Sequence, residues 1–85
     1  MDKVKVLKKC AEEAWFLYQA CLRMVKAIEF DENVDESLKK LNSKIANVEL
    51  GIEAIVDSGM LSHESIESAM LVKYEDYRKN LEKGE

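Results

Sequence analysis

The chain has 85 residues, 47% of them hydrophobic and 35% charged, with no proline and a net charge of −4. That length allows one domain whose small core leans on a partner subunit for stability, and the high apolar content excludes a disordered chain. The mild acidity, with a pI near 5.1, excludes a general nucleic-acid binder, which needs a basic face to displace counterions.

The first helix is expected from about Asp2 to Glu29. Leu7, Ala11, Ala14, Tyr18, Cys21, Val25 and Ile28 form a regular apolar stripe, and Val6, Cys10, Leu17, Ala20 and Met24 form a second one beside it. With Trp15, Phe16 and Leu22 added, the segment from Ala14 to Ile28 is apolar nearly all round, so this helix should be buried on more than one side. Trp15, Phe16, Tyr18 and Leu22 are accordingly the candidates for a subunit interface. Gln19, Arg23 and Lys26 interrupt the segment, which is too short to cross a bilayer. The charged opening Met1-Asp2-Lys3 gives no signal peptide. A cytoplasmic protein without membrane contact is expected. Cys10 and Cys21, eleven residues or roughly 16 Å apart on one helix, are too far apart to bridge and should be free thiols.

Phe30-Asp31-Glu32-Asn33 is a short connection that makes the first two helices antiparallel neighbours. Asn33, with Glu36 three positions on, has the form of a helix N-cap. The second helix then runs from Val34 to Asp57, with Val34, Leu38, Leu41, Ile45, Val48, Ile52 and Ile55 as its apolar seam. Ser58-Gly59 supplies a left-handed C-terminal cap. Ser62 caps a third helix over about His63 to Glu82, whose thinner stripe of Ile66, Met70, Tyr74 or Tyr77, and Leu81 should pack on one side only. No internal repeat or linker divides the chain. The fold class is therefore all-α: a long antiparallel hairpin plus a third helix, with homodimerisation completing a four-helix core and the third helix as an outer brace.

Three motifs carry chemistry. Ala11-Glu12-Glu13 precedes Gln19-Ala20. Ile45-Ala46-Asn47-Val48-Glu49 leads to Ile52-Glu53. Glu64, Lys73 and Arg78 follow a turn. Over about Leu7 to Leu81 this pattern resembles the MazG-like all-α nucleoside triphosphate pyrophosphohydrolases, especially their short phage-type members. Those enzymes carry E-E-x-x-E on one helix and E-x-x-D on the next, because residues three apart share a face and two antiparallel helices can aim both carboxylate pairs at Mg²⁺ ions in one cleft. Here the first motif keeps Glu12 and Glu13 but reaches Phe16 at its third acid, and the second reads Lys44-Ile-Ala-Asn47. Three of the four metal-holding acids are thus replaced and only Glu13 survives, with Glu12 its neighbour on a different face.

The resemblance thus implies a catalytically inactive relative that acts by binding, with no metal and no cofactor. Its expected partners are a second copy of itself, as dimer or tetramer, and either a nucleotide or nucleotide-derived signal or a host protein, in a phage accessory or anti-defence role. The ligand-binding candidates are Glu13, Lys44, Asn47, Lys73 and Arg78, with Glu13 and Lys44 expected to form an ion pair across the former metal site. The alternatives are a divergent Mg²⁺-dependent pyrophosphohydrolase using Glu12, Glu13, Glu49 and Glu53, and a purely structural helical oligomer. His63 has no second His or Cys near it in sequence, so a zinc site is not expected.

Overall fold

The computed structural model describes residues 2–84 as three helices. Helix α1 (Lys3–Phe30) begins where the Asp2 carboxylate accepts hydrogen bonds from the Val4 and Lys5 amides at 3.0 and 3.2 Å, satisfying two otherwise orphaned donors. It ends at Asp31 in the left-handed conformation, with the Glu32 amide donating back to the Ala27 carbonyl at 3.1 Å. Helix α2 (Val34–Asp57) stops at Ser58, followed by Gly59 at φ 86°. Helix α3 (His63–Glu82) opens on a reciprocal box between Ser62 and Ser65. None of these helices is long and apolar enough to cross a membrane.

The cap expected at Asn33 is not made. Asn33 takes a left-handed conformation, φ 55°, and its side chain bonds no helix amide. The three-residue turn from Asp31 to Asn33 needs two left-handed residues, Asp31 and Asn33, and Asn is among the few side chains that tolerate that region. Asp35 and Glu36 still place negative charge in the first turn of α2, where the helix dipole favours it.

Helices α1 and α2 form the packed pair. On α1 the residues turned inward are Val6, Cys10, Glu13, Leu17, Ala20, Met24 and Ala27; on α2 they include Val34, Ser37, Leu41, Lys44, Val48, Gly51 and Ile55, with Ser58 just beyond its end. Both sets step by alternate threes and fours, the seam of an antiparallel coiled coil. A Cβ on Gly51 would stand 3.1 Å from the Cys10 sulfur, which fixes the register. Stepping outward from that contact sets Leu17 level with Lys44, Ala20 with Leu41 and Ala27 with Val34.

This seam is rotated from the one the apolar pattern suggests. Leu38 and Ile45 are exposed while Ser37 is buried and Lys44 half-buried. On α1 it is the second stripe that meets α2, and Leu7, Tyr18, Val25 and Ile28 of the first stripe face outward. Burial of α1 on more than one side is therefore absent within one chain. The reason is steric: Ala20, Ala27, Ser37 and Gly51 are small enough to let two backbones approach, and close approach gains more dispersion contact than larger side chains held apart.

The third helix leans on α2 through Ile66, its half-buried residue, and through a 3.2 Å contact from His63 Nε2 to Glu53 Oε2. The rest of its apolar set is open, with Leu71 79% and Val72 81% exposed. The Cα radius of gyration is 15.5 Å, against about 12 Å for a globule of this length.

Candidate ligand-binding cleft

In an antiparallel pair, the residue before each seam position and the residue after it fall on opposite flanks. One flank carries Lys9, Phe16, Arg23 and Phe30 of α1 with Lys40, Asn47 and Ala54 of α2. Glu12, Glu13, Phe16, Lys44 and Asn47 all border this side, and here the structure opens two cavities. The one near the start of α1 is about 590 Å³ and is lined by Lys5, Lys8, Lys9, Glu12, Glu13, Asn47 and Leu50, among others. The other, about 450 Å³, lies by the turn between the two helices, over Ser37, with Arg23, Lys26 and Lys40 around it.

Glu13 is 9% exposed and sits in the seam, where a carboxylate must be paired to be tolerated. Lys9 meets that need from one turn upstream, its Nζ lying 3.0 Å from Glu13 Oε1 and 3.1 Å from Glu12 Oε1. The hydrogen bond to Glu13, then that to Glu12, raises the Lys9 pKa above its usual 10.5. Among the described residues the cation within ion-pair distance of Glu13 is Lys9, not Lys44. Lys44 instead lies over the Phe16 ring, its Nζ 5.1 Å from the centroid, a cation–π contact. The expected Glu13–Lys44 pair is thus replaced by two others. A partner four residues away on the same helix needs no reach across the seam, and the Phe16 face holds the Lys44 ammonium.

Because the Lys9 pKa is raised, its contribution to stability is fully present below pH 10.5 and is lost as pH rises through the higher folded value. Lys9→Met is therefore expected to melt below the parent protein at neutral pH, and the gap in melting temperature should close above pH 10.5. A gap that persists unchanged in strong alkali would mean the ammonium charge is not what holds Glu13.

Of the ligand-binding candidates, Glu13 and Asn47 share the larger cleft. Lys44 is turned to Phe16, and Lys73 and Arg78 lie on exposed α3, where Arg78 Nη1 donates to the Tyr74 hydroxyl at 2.9 Å and Nη2 lies 3.9 Å from Glu82. Of the interface candidates, Trp15, Tyr18 and Leu22 are exposed, while Phe16 is half-buried with its ring 5.6 Å from that of Trp15. The three lysines of the lining, Lys5, Lys8 and Lys9, matched in number by Asp2, Glu12 and Glu13, escaped the motif reading, although the i,i+4 spacing of Lys9 and Glu13 was a visible cue.

A divalent metal fits this arrangement poorly. Glu12 and Glu13 already share the Lys9 ammonium, and Glu49 and Glu53 line a separate cleft between α2 and α3, beside His63. Among the described residues no three His, Cys, Asp or Glu side chains converge as a metal cage. No family model, curated protein or solved structure matches this chain.

Proposed function

We propose that this chain is a non-catalytic relative of the MazG-like pyrophosphohydrolases, working as a homodimer with a four-helix core and binding an anionic ligand of the nucleotide class without metal. One observation carries the reading. At the positions where the resembled enzymes gather acids around Mg²⁺, Lys9 closes over Glu12 and Glu13, and Phe16 holds the Lys44 ammonium. Ammonium groups stand where divalent ions would otherwise supply positive charge to phosphates.

The larger cleft has the mix a nucleotide needs. Lys5 and Lys8 offer cationic donors at its rim, the Asn47 amide offers a directional donor and acceptor, and Val6, Leu50 and Ala54 give apolar lining for a base or sugar face. Recognition without hydrolysis suits sequestration of a signal rather than its destruction.

The test is thermal melting against a panel of nucleoside mono-, di- and triphosphates, with Mg²⁺ or with a chelator. A ligand at about 100 times its Kd contributes about 2.7 kcal/mol, which raises the melting temperature of a domain this size by roughly 10–20 °C. The shift should survive the chelator and be lost in Lys8→Glu. Absence of a shift with every nucleotide removes the ligand reading, and pyrophosphate release abolished by Glu13→Gln would establish the enzyme alternative instead.

A further inference from the structure

We infer that the smaller cavity, at the turn between α1 and α2, is a second anion site, built for the phosphate group of a small molecule and independent of the cleft around Glu13 and Asn47. Its walls hold three cations, Arg23 and Lys26 of α1 and Lys40 of α2, against two carboxylates, Glu32 and Glu36. Lys40 already lies 3.6 Å from Glu36. Among the described residues neither Arg23 nor Lys26 has a carboxylate within ion-pair distance. Cations three residues apart on a helix are neighbours, and like charges at that spacing repel until an anion comes between them.

The floor of the cavity is Ser37. It is 4% exposed, and its hydroxyl makes no hydrogen bond among the described residues. Buried polar groups are ordinarily partnered, and a helical serine can donate to the carbonyl one turn back. Ser37 does not, and its oxygen is not sealed from the cavity that it lines. The hydroxyl is therefore a donor held ready for what enters. The first turn of α2 borders the same cavity through Asn33 and Glu36, and the Asn33 side chain caps none of its amides, which leaves the positive end of the helix dipole without a capping oxygen.

Charge selects the ligand. A phosphate monoester carries about −1.5 to −2 at neutral pH, which two unpaired cations match, whereas a carboxylate brings one charge and leaves the second cation unanswered. Arg23 adds a planar fork of donors that takes phosphate oxygens two at a time. Glu32, exposed on the turn, is the group that opposes an anion here. The cavity, about 450 Å³, has room for more than the phosphate itself, with Phe30 as an apolar wall for the remainder.

The test is a titration of the full chain with inorganic phosphate and with phenyl phosphate at constant ionic strength, followed by NMR of the amides and the arginine side chains. Saturable shifts are expected at residues 33–37 and at the Arg23 guanidinium, with acetate moving neither. Arg23→Gln should weaken binding roughly tenfold or more, and Ser37→Ala, which removes a neutral donor, roughly fivefold. Glu32→Gln should tighten it, and circular dichroism reports whether each variant is folded. Tighter binding of phenyl phosphate assigns an ester that uses Phe30; equal binding assigns the free ion. Shifts that grow without saturating, or that Arg23→Gln leaves unchanged, overturn the site. Shifts centred on Lys5, Lys8 and Asn47 also overturn it, while supporting the nucleotide cleft. Lys8→Glu, which disables that cleft, should leave this titration unmoved, so the two readings fail separately.

Discussion

Gly51→Val is expected to lower the melting temperature by roughly 10–20 °C. Gly51 sits in mid-helix, where glycine is ordinarily a weakness of up to about 1 kcal/mol relative to alanine. It lies directly against Cys10 of α1. A Cβ there would lie 3.1 Å from the Cys10 sulfur, 3.3 Å from its Cβ and 3.4 Å from its Cα. The sulfur could swing aside, but the backbone atom cannot, and valine adds two methyl groups with a restricted rotamer. Overpacking of this kind costs about 1–3 kcal/mol. Pairing it with Cys10→Ala removes one of the three contacts, so a double-mutant cycle should recover part of the loss. If Gly51→Val melts with the parent protein, the register drawn from this contact is wrong, and with it the levels assigned along the seam.

Ala20→Asp is expected to remove a large fraction of the folding free energy and to lower the urea midpoint accordingly. Ala20 is 7% exposed, between Leu17 and Met24 on α1 and level with Leu41 on α2. A carboxylate there has no cation of the seam at its own level, the Lys44 ammonium being engaged with Phe16. Leaving a buried charge without a partner costs about 3–5 kcal/mol, and a domain of this length has on the order of 4–13 kcal/mol in total. Far-ultraviolet circular dichroism during a urea titration measures the outcome. Ala20→Ser, which adds a hydroxyl able to bond the carbonyl one turn back, should lose much less. Equal midpoints for the two variants would place Ala20 outside the core.

The helix ends were the most legible part of the fold. Ser62 and Gly59 act through local chemistry, and their expected roles are seen in the capping box and the left-handed turn. Asn33 failed as a cap because the adjoining turn required its backbone, a demand set by the connection rather than by the helix. The seam was half legible. Val34, Leu41, Val48 and Ile55 belong to both the apolar pattern and the packed interface, but hydrophobicity ranks Leu38 and Ile45 above Ser37, Lys44 and Gly51. Packing ranks them the other way within one chain, since small size sets the helix separation. Glu13 and Asn47, read from E-E and K-x-x-N on facing helices, line one cleft. The motif could not foresee that Lys9 would take Glu13, because a motif records spacing between helices and this pair lies within one.

The link between α2 and α3 turns at Gly59, where an added Cβ would meet nothing within 4 Å beyond its chain neighbours. Most of the helix beyond it rests on nothing within the same chain, and an isolated stretch of twenty residues holds its amides only loosely against solvent. Deuterium uptake across His63–Glu82 should therefore be fast in dilute solution while the seam between the first two helices resists exchange. Slowing of that uptake on concentrating the protein, or on adding a binder, would make the last helix a built-in reporter of who is touching the molecule.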